Sequence, residues 1–276
     1  MQKLIEGIRQ FQSNYVPSHK ALMKELSKGQ HPRVLFIGCS DSRVSPEIIT
    51  QSEIGDLFII RNAGNIIPPF EAANGGEGAT IEYAIDALGI QQVIICGHTQ
   101  CGAMKGLLQL GELEDKMPLV YEWLNNAAAT RKLVCDNYGH LEKKEMLNAL
   151  VAENVLTQID NLRTYPVIRS KLYSGELSIH GWVYKIETGE GLNYDAETHA
   201  FTPPQTKLSE AQNIALGEAL MYDTSFAAAA RTSGEPTRNH NGQDEASHGS
   251  LPSYLPGASR LSREQAERIY RGSVRQ

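Results

Sequence analysis

Three short apolar runs, at residues 34–37, 57–60 and 93–96, constrain this 276-residue chain more than any other feature. Each is about four residues long, is bounded by turn or polar residues, and is followed by a stretch with helical spacing. Runs of that length read as buried strands, and strands alternating with helices read as βα units around a mostly parallel sheet. Residues 77–88 have helical spacing with Gly89 as the stop. Further helices are expected from Met104 onward, over 118–138 and over 143–162. Leu4, Ile8, Phe11 and Tyr15, then Leu22, Met23 and Leu26, mark an amphipathic helix over 3–27, with an interruption near Pro17. Leu177, Ile179, Trp182, Tyr184 and Ile186 alternate imperfectly and then meet Thr188-Gly189, which predicts a strand entering a hairpin towards Tyr194. The fold class is therefore α/β: a mostly parallel central sheet with flanking helices.

The balance of residues supports a packed core, with 41% hydrophobic and 21% charged side chains. A net charge of −6 gives no basic field for nucleic acid. No apolar run approaches the roughly 20 residues of a spanning helix. The opening MQKLIEGIRQFQSNY lacks the apolar core and cleavage site of a signal peptide. The expected protein is cytoplasmic, with no membrane and no nucleic-acid partner. Its four cysteines are then reduced, and metal or catalytic roles outrank a disulfide framework. Cys96 and Cys135 read as small buried hydrophobes.

The chemistry lies in two motifs, each placed directly after a predicted strand. One is Cys39-Ser40-Asp41-Ser42-Arg43 and the other is His98-Thr99-Gln100-Cys101. Sites in open α/β sheets form outside the carboxyl ends of strands, so the two motifs converge if their strands are neighbours. Two thiolates and one imidazole favour tetrahedral zinc, and three protein ligands leave the fourth position that a catalytic zinc requires. By itself His98 also reads as a hydrogen-bonded loop histidine. Asp41 beside such a metal could bind it or accept a hydrogen bond near it, and Arg43 could hold the carboxylate ionised. A plain salt bridge fixing the turn is an equal reading of that spacing.

Together, Cys39-x-Asp41-x-Arg43 and His98-x-x-Cys101 resemble the paired signature of β-class carbonic anhydrases. The surrounding stretches IGCSDSRV, LFIIRNAGNIIPP, GGEGATIEYAI and VIICGHTQCGAMKG fit as well, and the resemblance covers about residues 1–195. It implies one Zn2+ per subunit on Cys39, His98 and Cys101, with Asp41 and Arg43 as the catalytic dyad. It also implies a working unit that is a homodimer or a higher multiple of dimers. Gln30 matches the substrate glutamine of the plant-like subgroup, and Phe58 and Tyr83 match its apolar pocket positions. In that subgroup these three come from the neighbouring subunit. The Gly102 amide would help orient bicarbonate. Ala63 departs from the pattern, where a plant-like enzyme has a larger aliphatic. Without the resemblance, Gln30 reads as a surface residue and Phe58 and Tyr83 as core.

The chain divides into a catalytic domain with an N-terminal helical arm (1–200), a flexible linker (201–259) and a short helical segment (260–276). The linker contains TSGEPTRNHNGQDEASHGS and too few apolar residues for a core, so a largely disordered C-terminal tail is expected. In the last segment Ser262 and Gln265 have capping-box spacing and Leu261 can staple onto Ala266. The stretch Glu264-Gln265-Ala266-Glu267-Arg268-Ile269-Tyr270-Arg271-Gly272 is similar to the tail of cyanobacterial carboxysomal enzymes. That likeness implies a carboxysomal scaffold protein as partner and supply of carbon dioxide to Rubisco within the carboxysome. Two other functions stay open at this point: hydrolysis of carbonyl sulfide or carbon disulfide at the same kind of site, and a zinc-stabilised scaffold without turnover.

Overall fold

The computed structural model describes residues 1–73 and 75–204. Of the expected linker, only residues 201–204 are described. The expected helical segment 260–276 lies outside the described residues.

The arm comes first: α1 (Gln2–Gln10), a π-turn (Phe11–Tyr15), α2 (Val16–Ser18) and α3 (Lys20–Leu26). The helical path breaks at His19 (φ −112°, ψ 31°), two residues after Pro17. None of these helices buries a side chain, and Leu4, Ile8 and Phe11 stand exposed along one face. β1 (Val34–Cys39), α4 (Pro46–Thr50), β2 (Leu57–Asn62), α5 (Gly76–Glu82) with a π-turn (Tyr83–Ala87), β3 (Gln92–His98) and α6 (Gly102–Leu108) follow. Next come α7 (Pro118–Asn125), α8 (Ala128–Tyr138), α9 (Lys143–Leu162) and α10 (Pro166–Ser174). The described chain closes with β4 (Ser178–Tyr184), β5 (Gly191–Asp195) and β6 (Ala200–Thr202).

Among the described residues these strands form one sheet in the order β2-β1-β3-β4-β5-β6. The first four are parallel, and β5 and β6 add antiparallel. The α/β expectation and the hairpin after β4 are both met. β1 neighbours both β2 and β3, so the chain winds one way from β1 to β2 and then returns to the other side for β3. A crevice opens at such a reversal, outside the carboxyl ends of β1 and β3.

Strand alternation divides the apolar side chains. Leu35, Ile37, Val93 and Ile95 join the main core, while Phe36, Ile94 and Cys96 form a smaller cluster. α9 lies on β3 and β4 and supplies twelve buried residues. Its approach is very close: a methyl group on Gly97 would meet Val155 Cγ2 at 2.8 Å.

Several details correct the sequence reading. The expected helix over 118–138 is two helices, because Ala127 (φ −110°, ψ 14°) turns into the core between α7 and α8. Residues 57–60 do not form a buried strand. β2 is an edge, and only Ile60 of it is buried. Cys135 is exposed on α8 rather than a core residue. β6 runs across the boundary expected at residue 200 and buries Phe201. No helix among the described residues is long and apolar enough to cross a membrane.

Candidate metal centre

β1 and β3 are paired in register, Gly38 opposite Cys96, so their carboxyl ends lie side by side. Cys39 ends β1, His98 ends β3, and Cys101 caps α6 immediately afterwards. All three are buried, and their ligand atoms lie within 4.8 Å of one another. Convergence follows from strand order, because no other neighbour of β1 would bring His98 to Cys39.

The donor set fits zinc. The two sulfurs are 3.9 Å apart, and tetrahedral bonds of about 2.3 Å would place them roughly 3.8 Å apart. The imidazole of His98 donates from Nδ1 to the Thr99 carbonyl at 2.9 Å, since that oxygen only accepts. Its proton is thereby fixed on Nδ1, leaving a lone pair on Nε2. Nε2 is buried and has no hydrogen-bond partner among the described residues. An orphaned lone pair beside two buried sulfurs suits a soft cation.

The thiols point the same way electrostatically. The hydrogen bond from Cys101 lowers Cys39 to about 4, with help from the Gly64 and Asp41 amides against the cost of burial. The same bond and burial push Cys101 up, against the Met104 and Ala103 amides at the start of α6. Two sulfurs so close hold one proton between them, and only a cation lets both ionise.

Asp41 and Arg43 sit beside these three residues. Arg43 donates from Nε to Asp41 Oδ1 at 2.9 Å and from Nη2 to Oδ2 at 2.7 Å, and its backbone amide donates to Oδ1 at 3.0 Å. These bonds, the guanidinium ones first, hold the carboxyl well below the usual carboxylate range. Asp41 Oδ2 stands 3.9 Å from His98 Nε2, near the three ligands but engaged with arginine. Arg61, which the sequence reading passed over, clamps the turn by donating to the Cys39 carbonyl at 3.0 Å and the Asp41 carbonyl at 2.7 Å.

Gly102 is the first residue of α6, so its amide is one of the first-turn N–H groups that have no partner inside the helix. Phe58 and Tyr83 lie together, rings 6.1 Å apart. Phe58 pairs with Leu35 at the start of β1, and four residues at about 3.3 Å separate that level from Cys39, roughly 13 Å. Gln30 is exposed in the loop before β1, at the same far end.

Glu187, beyond β4, is a second residue the sequence did not flag. Its Oε2 accepts from Thr99 Oγ1 and its Oε1 from Gln100 Nε2, both at 2.6 Å. These bonds, Thr99 first, lower its carboxyl to about 2. They brace the loop between His98 and Cys101, where Gln100 takes a left-handed φ of 55°. Glu187→Gln keeps the acceptor for Thr99 but sets one amide nitrogen against another at Gln100. We expect zinc held about tenfold less tightly, as when outer-shell partners are lost, measured by chelator competition. Unchanged retention would make the brace irrelevant to the metal.

The family model described as carbonic anhydrase matches residues 34–191. A carbonic anhydrase of Synechocystis sp. is 54% identical over 275 residues, covering 99% of this chain and 100% of that protein. The solved structure of the beta-carbonic anhydrase CcaA is 62% identical with a TM-score of 0.73, over 74% of this chain and 99% of that one. One of two tetrameric beta-carbonic anhydrases from Sordaria macrospora is 26% identical with a TM-score of 0.63, over 70% of this chain and 95% of that one.

Proposed function

Because this chain belongs to the carbonic anhydrase family, in its β class, we propose that it hydrates carbon dioxide reversibly with one zinc on Cys39, His98 and Cys101 and with Asp41 and Arg43 as its catalytic dyad. The observation that carries this reading is the buried, unpartnered Nε2 of His98 facing two sulfurs 3.9 Å apart. Zinc held there would supply Lewis acidity, which brings the pKa of water from about 15.7 towards 7.

The chain's own residues do the rest. Cys39 and Cys101 contribute negative charge, which opposes the acidification and moves the working pH upward. Arg43 keeps Asp41 ionised, so its Oδ2 can accept a hydrogen bond from the attacking oxygen and turn a lone pair towards the substrate carbon. The Gly102 amide, at the start of α6, can donate to a bicarbonate oxygen.

A second copy would complete the pocket. Gln30, Phe58 and Tyr83 lie about the length of β1 from their own metal ligands, and the exposed stripe of Leu4, Ile8 and Phe11 suits burial against a partner. The tetrameric Sordaria relative supports assembly from dimers.

Similarity to the Synechocystis enzyme extends over nearly the whole chain, well past the residues the family model matches. That supports a role for residues 201–276, as a linker and terminal segment tethering the enzyme to a carboxysomal scaffold protein. Carbon dioxide would there be supplied to Rubisco inside the carboxysome.

The test is stopped-flow hydration of carbon dioxide by the zinc-loaded full chain under reducing conditions. We expect turnover far above buffer. A rate equal to buffer, with one zinc per chain still bound, would overturn the reading in favour of a structural zinc.

A further inference from the structure

Cys39 is held by more than its strand. Its sulfur accepts a hydrogen bond from the Gly64 amide at 3.4 Å. Gly64 lies in a turn after β2 where the backbone is left-handed, φ 86° at Gly64 and 48° at Asn65. A methyl group at Gly64 would meet Met104 Cε at 2.9 Å and Ala103 Cβ at 3.0 Å, so the turn is pressed against α6 just after Cys101. Such a turn needs outside support to aim its amide.

Two side chains distant in sequence give that support. Trp123 on α7 donates from Nε1 to the Ala63 carbonyl at 2.8 Å, the other end of the peptide plane that carries the Gly64 amide. Asn154 on α9 donates from Nδ2 to the Gly64 carbonyl at 2.9 Å, fixing the next plane. Asn154 is itself fixed, because its Oδ1 accepts from Gln158 Nε2 at 2.9 Å while Gln158 Oε1 accepts from the Ile67 amide at 2.8 Å. Asn154 and Gln158 are both buried, on the helix pressed closest to β3. With both carbonyls pulled outward, the Gly64 N–H is directed at Cys39 Sγ.

We propose that Trp123 and Asn154 are positioning residues of the metal centre, a two-point clamp on the Ala63–Gly64 turn that sets how strongly the Cys39 sulfur donates to a bound metal. Neither touches the metal or the substrate. An N–H bond to a ligating thiolate draws charge from the sulfur, so losing its aim leaves a stronger but less well-placed donor. The inference rests on the metal reading of Cys39, His98 and Cys101.

The test uses cobalt(II)-loaded full-length protein: wild type, Trp123→Phe, Asn154→Asp and Thr164→Val. Thr164 also holds this stretch, accepting from the Phe70 amide at 2.8 Å, but does not reach Gly64. Trp123→Phe keeps an aromatic ring at a partly exposed position and loses the donor with the smaller ring of the indole, so it reports even if Asn154→Asp fails to fold. We expect both clamp variants to move the sulfur-to-cobalt charge-transfer band to lower energy. They should also raise the zinc dissociation constant about tenfold, within the range for lost outer-shell partners. Thr164→Val should lower the melting temperature alone. If the clamp variants behave like Thr164→Val, with band and affinity unchanged, the clamp is only structural and the proposal is wrong. If wild type shows no sulfur-to-cobalt band, it is the metal reading that fails.

Discussion

Cys101→Ser should leave a folded chain that neither holds zinc nor turns over carbon dioxide. The argument for folding is local. Cys101 is the N-cap of α6 and is buried, and serine is nearly isosteric and a preferred N-cap, so α6 should survive. The argument for metal loss is chemical. A buried hydroxyl does not ionise near neutral pH, so the site drops from two anionic donors to one. Losing a direct ligand should exceed the 10–100-fold affinity loss typical of an outer partner. Without the metal the pKa of water returns towards about 15.7, and hydration should fall by at least about 10³-fold. Metal content, circular dichroism and stopped-flow rates on one preparation check all three. A Cys101→Ser chain with wild-type zinc and rate would mean that the 3.9 Å sulfur pair is not the metal site.

The sequence exposed the ends of this arrangement better than its middle. Cys39 and His98 could be placed at strand ends because residues 34–37 and 93–96 are short, apolar and abruptly terminated. Their convergence depended on β1 lying beside β3, and a pattern of strands and helices does not state strand order. The brace and the clamp were invisible for a different reason. Glu187 meets Thr99 across 88 residues, and Asn154 meets Gly64 across 90. A single polar residue on a mostly apolar helix carries no local signal of its partner. Residues 118–138 read as one helix on the run Ala127-Ala128-Ala129, but Asn125 and Asn126 just before it are weak helix formers, and the break falls there, where Ala127 turns into the core. Cys135 is exposed where its residue type suggests burial, because a cysteine's burial depends on which helix face it occupies. Phe58 and Tyr83 were placed by resemblance, and their distance from Cys39 within one chain makes sense of that only if a second copy is present.

Asp41→Asn separates catalysis from architecture. The substitution keeps shape and removes charge. One oxygen can still accept from Arg43, but an amide nitrogen now faces Nη2, where a carboxylate oxygen had accepted at 2.7 Å. Arg43 is nearly half exposed, and a pair so open to solvent contributes little to stability, so the melting temperature should hardly move. Zinc should stay, because Asp41 is bonded to arginine rather than filling the ligand set. What changes is the group facing the attacking oxygen, from an acceptor to a donor. Loss of such an aligned acceptor typically costs about 10²–10⁴-fold, and we expect kcat to fall by that order with zinc content unchanged. The pH profile adds an independent check. Arg43 depresses the Asp41 carboxyl, so its ionised form is present well above the ordinary pKa of about 4 and is lost only in strong acid. Asp41 therefore titrates nowhere between roughly pH 6 and 9, and any rise in wild-type rate across that range comes from another group. The residual activity of Asp41→Asn should then rise over the same range as wild type, only lower. A variant at full rate would reduce the Asp41–Arg43 pair to a salt bridge that fixes a turn. A variant whose profile shifts along the pH axis would make Asp41 part of the titrating group, which the two short bonds from Arg43 argue against.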